Sequence, residues 1–474
     1  MSGPDWDGLR RDLGQLLAPA APHHRTELRG RATGTAEWVA TPRDTDEVAR
    51  VVRASAAARV PMVPYGGGTG LVGGQVGDGP PALVVSLTRM AAIRAVWPDE
   101  GAIEVEAGAI LATVQEAAQA AGLAFPLTLG SRGSAQIGGL LATNAGGTAV
   151  LRHGTMRDLT LGVEAVLSDG SVVSGGRRLR KNNTGYDLRH LLIGSEGTLG
   201  IITAATLRLV PEPRARAAAF LAVASPRAAL DLLAIARARV GEGVSGCELI
   251  DGQGLRWLAE HLPAVRQPFD AAPDWSVLME IGLFEGDAAA VLEEIAADGL
   301  ARGLVSDGAV SRSEAQRDAF WQVREGIPEA SRAVGPIASH DVSVPLSHVP
   351  RLIAEGRAAL LGIAPDLRFN TFGHAGDGNV HFNVFPARGR TRADYAGIAP
   401  ELTARLHDIV VDLGGAISAE HGIGRFKAAE LARLAKPSEL AAMRAIKAAL
   451  DPGGLMNPGV IFAAGAGPTP PDAA

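Results

Sequence analysis

Three clusters of glycine between short apolar segments constrain the fold of this chain more than any other feature. The clusters occupy residues 66–74, 130–147 and 194–200, and the first follows the apolar segment 60–63 directly. Glycine permits close backbone approach, and consecutive loop N–H groups can bind a pyrophosphate. A flexible surface loop is the alternative for any one cluster. Three clusters between strands predict a long ligand, such as a dinucleotide, that lies against backbone.

The first cluster does not match the common phosphate-binding motifs. No lysine stands in the Gly-Lys-Ser/Thr position of a Walker loop, and no long helix follows a regular Gly-x-Gly-x-x-Gly pattern. The ligand must therefore be identified from other residues.

Composition excludes several classes of protein. The chain has 474 residues, enough for two or three domains. Its net charge of −6 argues against nucleic acid or an anionic membrane as partner. A single cysteine, Cys247, excludes an internal disulfide and a cysteine-held iron–sulfur cluster. The sequence offers no transmembrane segment and no secretory signal, which predicts a cytoplasmic protein and leaves a homodimer open.

The apolar pattern predicts an α+β fold. Residues 1–36 are expected to form a helical entry segment, and Asp44 is expected to cap a helix that ends near Ala58. A hinge is expected at the Pro-Glu-Pro sequence of residues 211–213. Further strands are predicted at 60–63, 82–87, 102–107, 161–167, 171–174, 199–209, 218–223 and 275–284, and further helices at 109–121, 184–193, 226–239 and 286–300.

Two histidines and a carboxylate in the second half have the composition of a divalent metal site. His374 and His381 flank a Gly-Asp-Gly-Asn turn, so a hairpin would bring the two rings together. Glu420 and His421 are adjacent and point opposite ways in an extended segment, which suits one metal ligand and one residue facing a substrate. Imidazole and carboxylate are common zinc ligands. Spacing alone favours two structural histidines, by roughly two to one.

The motifs of both halves resemble a known family. In the first half they resemble FAD-binding enzymes of the vanillyl-alcohol-oxidase type, through Pro64, Gly68-Thr-Gly70, Gly133-Ser, Ile137-Gly-Gly, Thr143-Asn-Ala-Gly-Gly147 and Gly194-Ser-Glu-Gly-Thr-Leu-Gly200. In the second half they resemble the D-2-hydroxyacid dehydrogenase branch, which includes D-2-hydroxyglutarate and D-lactate dehydrogenases, through Trp321-Gln-Val-Arg324, Asp341-Val-Ser-Val-Pro345, Phe372-Gly-His-Ala-Gly-Asp-Gly-Asn379, Glu420-His-Gly-Ile-Gly424 and the segment 447–458.

This resemblance implies a domain organisation. A two-subdomain FAD-binding domain would occupy residues 37–213, and an α+β substrate domain with the metal site would occupy 214–430. A helical segment at 431–462 would return to the flavin, and 463–474 would form a disordered tail.

The resemblance also implies roles for individual residues. His374, His381 and Glu420 would bind Zn²⁺ or another divalent metal, and His421 would act as the base. Thr69 stands where some relatives carry the histidine that links FAD covalently, so non-covalent FAD is expected. The FAD-binding residues would be Pro64, Gly66, Gly67, Gly68, Thr69, Gly70, Gly73, Gly133, Ser134, Gly138, Thr143, Asn144, Gly147, Gly197, Ile202 and Asn457.

The substrate would be a small D-2-hydroxyacid, with D-2-hydroxyglutarate favoured and D-lactate as the alternative. Arg324 and Asn383 would bind it, whereas a turn role explains Asn379 about equally well. The branch commonly has a lysine two residues before the aspartate of its Asp-x-Ser-x-Pro motif, and this chain has Ser339 there. Without that positive charge, the sequence does not identify the chemical group at the far end of the substrate. His340, or an arginine from elsewhere in the chain, is a candidate to compensate for the missing charge.

The resemblance implies that the electrons pass to a quinone or to an electron-transfer flavoprotein. A function of another class, a flavin-binding electron-transfer subunit of a larger complex, would not need the metal and base residues.

Overall fold

A computed structural model of the chain describes residues 3–77 and 79–463. These residues form two compact units. The first unit comprises residues up to 146, 154–211 and the chain from 420 onward, and the second comprises 147–153 and 212–419. One of the boundaries between the two units, between residues 211 and 212, falls within the Pro-Glu-Pro sequence of residues 211–213. Most of the predicted tail, residues 464–474, lies outside the described residues.

Among the described residues the helices, numbered α1 to α14 in chain order, are Trp6–Leu13, Thr45–Ala58, Leu111–Ala120, Ile137–Ala142, Val150–His153, Leu188–Leu192, Pro226–Val240, Gly252–His261, Ala288–Ala301, Glu314–Val334, Val349–Ile363, Ala399–Asp412, Ala428–Leu434 and Pro437–Leu450. The strands, β1 to β16, are Leu17–Pro19, Trp38–Ala40, Met62–Tyr65, Leu83–Ser86, Ile93–Trp97, Ala102–Glu106, Thr160–Val166, Val172–Ser174, Ile201–Arg208, Ala215–Val223, Val244–Asp251, Trp275–Leu283, Val305–Val310, Ala338–Ser343, Arg368–His374 and Asn379–Phe385.

The first unit contains two sheets with separate cores. A four-stranded sheet has the order β1-β2-β4-β3, in which β4 runs parallel to both β2 and β3. A five-stranded antiparallel sheet has the order β5-β6-β9-β7-β8. Helices α1 and α2 contribute to the core of the first sheet, while α3 and α4 contribute to the core of the second. The predicted two-subdomain α+β architecture of this part of the chain is confirmed.

The entry segment differs from its prediction. Only α1 is α-helical within residues 3–36, because Gly14, with φ of +48°, ends the helix. The chain then continues as β1, which pairs with β2. Leu9, Leu13 and Leu16 are nevertheless buried.

Helix α2 begins and ends where local chemistry predicts. The carboxylate of Asp44 accepts a hydrogen bond from the Glu47 N–H at 2.8 Å, which caps the first turn. Arg59, in the left-handed region at φ +54°, ends the helix. The predicted helix at 184–193 is shorter than expected, since α6 starts only after Asp187, its N-cap.

The chain from residue 420 onward belongs to the first unit, so the observed division lies before the predicted boundary at 430. The Arg425 N–H donates to the Val72 oxygen, and its side chain donates to the oxygens of Val76 and Pro458. The final segment pairs with β3, where Met62 and Met456 form a parallel bridge. These bonds join the C-terminal segment to the unit that carries the glycine loops.

The second unit is built on one antiparallel sheet of seven strands in the order β13-β10-β12-β11-β15-β16-β14. One face packs against α7, α9, α11 and α12. The other face packs in part against α8 and α10. Within the described residues, no helix is long and apolar enough to cross a membrane.

Candidate functional site

The first two glycine loops touch each other in the first unit. A Cβ on Gly67 would overlap the carbonyl oxygen of Ser134, and one on Gly66 would lie 3.6 Å from the backbone of Gly139. Glycine is required at residue 67 because the two backbones approach within the space of a methyl group.

The third loop and the C-terminal segment join them. Gly197 has φ of +73°, and a Cβ there would lie 2.8 Å from Cγ of Pro64. The amide of Asn457 donates to the oxygens of Gly74 and Glu196 at 3.0 and 2.8 Å. The structure therefore brings together predicted FAD-binding residues that are almost 400 positions apart in sequence.

Several predicted cofactor residues have an evident packing contact. Gly138 lies against Ala107, and a Cβ on Gly138 would lie 2.9 Å from the Cβ of Ala107. The Thr143 hydroxyl donates to the Gly139 oxygen at 3.1 Å, and Ile202 is buried in the core of the five-stranded sheet. These contacts explain the residue types without a ligand.

Two other glycines of the second cluster are placed differently. Gly133 has open space around it, as a glycine facing a ligand would. Gly147 begins the short segment that groups with the second unit. Asn144, at φ +50°, accepts a hydrogen bond from the Arg157 N–H at 2.9 Å.

An unsatisfied buried atom lies beside the first loop. The Oε1 atom of Gln136 is buried and has no hydrogen-bond partner, and it lies 3.7 Å from where a Cβ of Gly66 would be. Buried acceptors are rarely left unpaired. Backbone-lined loops beside an unpaired amide oxygen fit a polar dinucleotide such as FAD.

Glu196 fixes the segment that follows the Glu420-His421 pair. Its carboxylate accepts hydrogen bonds from the N–H groups of Ile423 and Gly424, both at 2.8 Å. Burial raises the pKa of Glu196 to about 6, although these two N–H groups oppose the shift. Sequence reasoning assigned Glu196 no role, because its partners lie more than 220 residues away.

In the second unit, β15 and β16 form the predicted hairpin. Phe372 pairs with His381 in its register, so the two strands place His374 and His381 on one face. The centroids of the two imidazole rings are 5.4 Å apart. Convergence of the rings is therefore confirmed.

Each imidazole meets a carboxylate from a neighbouring strand through Nδ1. The Nδ1 atom of His374 lies 2.6 Å from Oε1 of Glu248 on β11. The Nδ1 atom of His381 lies 3.5 Å from Oδ1 of Asp341 on β14. A histidine whose Nδ1 faces a carboxylate would coordinate a metal through Nε2.

Glu420 is the remaining member of the predicted ligand set, and it follows directly after Ala419, the last residue of the second unit. The preceding residue, Ala419, donates its N–H to the Asp341 oxygen at 3.2 Å, which holds this part of the chain at the edge strand β14. Two imidazoles and a carboxylate suit Zn²⁺ or a similar divalent ion.

His421 follows Glu420 in the first unit. A ring nitrogen of His421 lies within 4.8 Å of a carboxylate oxygen of Glu420.

Arg324 is buried and held on two sides. Its Nε donates to Oε2 of Glu248 at 2.8 Å, and its guanidinium lies 4.7 Å from the ring centroid of Phe372. Arg324 is 6% exposed, so it is buried and is not a surface arginine of α10. Burial would raise the pKa of Glu248, but His374 and Arg324 together lower it to about 2.

The two asparagines differ in how firmly they are held. The amide of Asn379 donates to Oδ1 of Asp341 and to the Val342 oxygen, both at 2.9 Å. Its own Oδ1 is buried without a partner. Asn383 makes only long bonds of 3.4 Å to the oxygens of Asn370 and His381. Asn379 therefore does more than form a turn, since it also orients Asp341.

Strand register places Ser339 on the same face as the metal-binding candidates. Ser339 pairs with Asn383, and Asp341 pairs with His381. Alternation along β14 puts His340 on the opposite face, where its ring lies 5.3 Å from that of His407. The interpretation of His340 as a replacement for the lysine is therefore wrong.

Comparison with known families gives two matches. Residues 36–176 match the family described as FAD binding domain, and residues 212–461 match the C-terminal domain of FAD linked oxidases.

Named relatives cover most of the chain. A D-2-hydroxyglutarate dehydrogenase of Xanthomonas citri pv. viticola is 37% identical, over 94% of this chain and 93% of the relative. The mitochondrial D-2-hydroxyglutarate dehydrogenase of Bos taurus is 35% identical, over 90% and 76%. A D-2-hydroxyglutarate–pyruvate transhydrogenase of Saccharomyces cerevisiae is 31% identical, over 90% and 86%.

Solved structures share the fold at low identity. p-Cresol methylhydroxylase superposes with a TM-score of 0.74 at 15% identity, covering 97% of this chain and 96% of its own. Alkyldihydroxyacetonephosphate synthase gives 0.71 at 17% identity, covering 97% and 86%. The predicted vanillyl-alcohol-oxidase type of fold is confirmed.

Proposed function

Because this chain belongs to the FAD-linked oxidase family, in the branch of the D-2-hydroxyglutarate dehydrogenases, we propose that it oxidises a D-2-hydroxyacid to the 2-oxoacid with non-covalent FAD and a divalent metal. D-2-hydroxyglutarate is the favoured substrate, since the relatives carry that name. The observation that carries the proposal is the pair of hairpin imidazoles, whose ring centroids lie 5.4 Å apart and each of which has a carboxylate at Nδ1.

His374, His381 and Glu420 would hold the metal, and the three glycine loops with Asn457 would hold FAD. When bound, FAD supplies a hydride acceptor at N5 and the metal supplies a Lewis acid for the substrate hydroxyl.

His421 accepts the hydroxyl proton in this proposal. The alcohol becomes a ketone by losing a hydride from C2 and a proton from oxygen, so a base is required beside the oxygen. Imidazole suits this task near neutral pH. The carboxylate of the adjacent Glu420 lies near the His421 ring, where it stabilises the imidazolium that forms.

Arg324 and Asn383 bind and orient the substrate. A guanidinium whose Nε is taken by Glu248 retains its two terminal nitrogens for a carboxylate. The weak bonds of the Asn383 amide leave it able to turn toward a ligand. Fixing the acid in this way orients C2 for hydride loss.

D-Lactate, or another short D-2-hydroxyacid, is the second candidate substrate. The specific observation is Ser339, a neutral side chain on the site's face. In addition, residues 212–419 contain no lysine, so no lysine elsewhere in this range replaces the missing one.

The test is anaerobic reduction of the bound flavin by the substrate, which is monitored by the absorbance of the flavin. D-2-hydroxyglutarate is expected to bleach the flavin faster than D-lactate, D-malate or glycolate, and L-2-hydroxyglutarate is expected to leave it oxidised. Bleaching that does not distinguish D from L, or none with any acid, would contradict the proposal. The second of these outcomes would favour an electron-transfer subunit.

We extend the proposal to the electron acceptor, a quinone or an electron-transfer flavoprotein. Reduced enzyme is expected to reoxidise faster with either acceptor than with air. Faster reoxidation by oxygen would identify an oxidase instead.

A further inference from the structure

Glu248 is the most deeply buried carboxylate beside the proposed metal and substrate residues. It lies on β11 within the seven-stranded sheet, is 0% exposed, and pairs with His374 on β15 in the strand register. Burying a carboxylate is costly unless it is paired and hydrogen-bonded. The hydrogen-bond and ion-pair partners of Glu248 therefore determine whether the folded protein can keep this carboxylate buried.

The two oxygens of Glu248 serve two different partners. Oε1 meets Nδ1 of His374 at 2.6 Å, and Oε2 accepts from Nε of Arg324 at 2.8 Å. The Arg324 guanidinium also lies over the ring of Phe372, at 4.7 Å from its centroid. One carboxylate thus constrains the imidazole on β15 and the guanidinium on α10 together.

We propose that Glu248 is a positioning residue that couples metal binding to substrate binding, by fixing the tautomer and orientation of His374 and the guanidinium plane of Arg324 at once. This role rests on the proposed function, in which His374 binds the metal and Arg324 the substrate carboxylate. Carboxylates behind metal-binding histidines raise the metal affinity of the ligand by orienting it. Here the same group also orients the substrate-binding arginine.

A structural ion pair is the competing explanation, and it makes a different prediction. A pair that only stabilises the fold would lower the melting temperature on substitution and leave the metal and substrate constants of the folded protein unchanged. A positioning residue changes both constants in protein that is folded and loaded with FAD.

The experiment compares Glu248→Gln with Glu280→Gln in the full-length holoprotein. Glu280 is a matched control, because it lies on the adjacent strand β12 and accepts from Trp321 Nε1 on the same helix α10, at 2.6 Å. Zinc affinity is measured by competition with a chromophoric chelator, on protein first stripped of metal. KM and kcat for D-2-hydroxyglutarate are measured on the zinc-saturated forms.

Glu248→Gln is expected to weaken zinc binding by roughly 10- to 100-fold and to raise KM more than it lowers kcat at saturating zinc. Glu280→Gln is expected to leave both quantities within about twofold of wild type. Zinc affinity and KM of Glu248→Gln that match the control would overturn the coupling role.

A further variant covers the case in which Glu248→Gln does not fold. The double variant Glu248→Gln/Arg324→Gln removes both charges of the buried pair, which leaves no uncompensated arginine. Its zinc affinity is expected to fall as in the single variant, and wild-type affinity would overturn the role at His374.

Failure of the proposed function gives a different result. If no hydroxyacid reduces the wild-type flavin, the assigned reaction is wrong, while the zinc comparison still tests the contact between Glu248 and His374. If wild-type protein is reduced normally and takes up no divalent ion, the positioning role is overturned and the oxidation is not.

Discussion

At the scale of single residues, the chemistry of the site depends on side chains that differ in how they are held. Arg324, His374 and Asn379 are fixed by buried hydrogen bonds. Ser339 is exposed at the edge strand. In the proposed function, the fixed residues would orient the end of the substrate that is oxidised, and the exposed Ser339 would face its other end.

Replacement of His421 by alanine tests the base. The first-order rate of flavin reduction by D-2-hydroxyglutarate is expected to fall by roughly 10²- to 10⁴-fold, since proton transfer by a positioned imidazole contributes about that factor. Zinc and FAD contents should remain those of wild type. His261→Ala, at an exposed histidine that ends α8, serves as control. An unchanged rate in His421→Ala would remove this residue from the mechanism.

A lysine at residue 339 tests substrate length. Ser339→Lys adds a cation on the face that carries Asn383 and Asp341. Charge-assisted hydrogen bonds contribute about 1.5–3 kcal/mol, so kcat/KM for D-2-hydroxyglutarate relative to D-lactate is expected to rise roughly 10- to 100-fold. Ser339→Met controls for side-chain length without charge. Equal ratios in the two variants would show that the distal carboxylate binds elsewhere.

At the scale of elements, the loops of the first unit are joined by close backbone contacts and by one carboxylate. The contact at Gly67 joins the first two loops, and Glu196 joins the third loop to residues 423 and 424. Both contacts are testable by single substitutions.

The variant Gly67→Ala is expected to lose FAD. Its Cβ would overlap the Ser134 oxygen, so the two loops must separate, at a cost of about 1–3 kcal/mol. The ratio of flavin to protein absorbance and the melting temperature should both fall. Gly130→Ala is the matched control, because a Cβ there meets nothing within 4 Å. Full flavin content in Gly67→Ala would show that the loops separate without harm to the cofactor site.

Glu196 is expected to make stability depend on pH. Its folded-state pKa of about 6 exceeds the ordinary value of 4.5, so the folded protein binds more protons between these values. The free energy of unfolding therefore falls as pH rises through this window, by about 2 kcal/mol.

The measurement is the difference in free energy of unfolding between wild type and Glu196→Gln at pH 4.5 and pH 7. Wild type should lose stability relative to the variant as pH rises. Glu116→Gln, at an exposed position on α3, should show no such change. A difference that is constant with pH would mean that Glu196 does not titrate in this range.

At the scale of the whole molecule, the two units have separate hydrophobic cores. A ligand that binds only the folded state stabilises it by mass action. The metal and FAD would therefore each contribute to stability through the residues that hold them.

Removal of metal by a chelator is expected to abolish flavin reduction and to lower the melting temperature, and added Zn²⁺ should restore both. At a hundredfold excess over its dissociation constant the ion contributes about 2.7 kcal/mol. His374→Ala/His381→Ala should show no response of the melting temperature to zinc. A response equal to that of wild type would place the metal elsewhere.

Much of this fold and part of its site can be predicted from sequence, because local rules govern them. The helix cap at Asp44, the hairpin between His374 and His381, and the loops of glycine each depend on residues within a few positions of one another. Turn chemistry and side-chain alternation act over such distances, so the sequence by itself determined these features.

Tertiary structure alone decided how the site is supported. Glu248 meets His374 across 126 positions and Glu196 meets Ile423 across 227, and no local pattern distinguishes either glutamate. The register of β14 likewise decided that Ser339, and not His340, shares the face of the site. Such pairings result from strand order and the packing of cores, which depend on the free energy of the whole chain. A buried carboxylate acquires its role only from the partners that this packing brings to it.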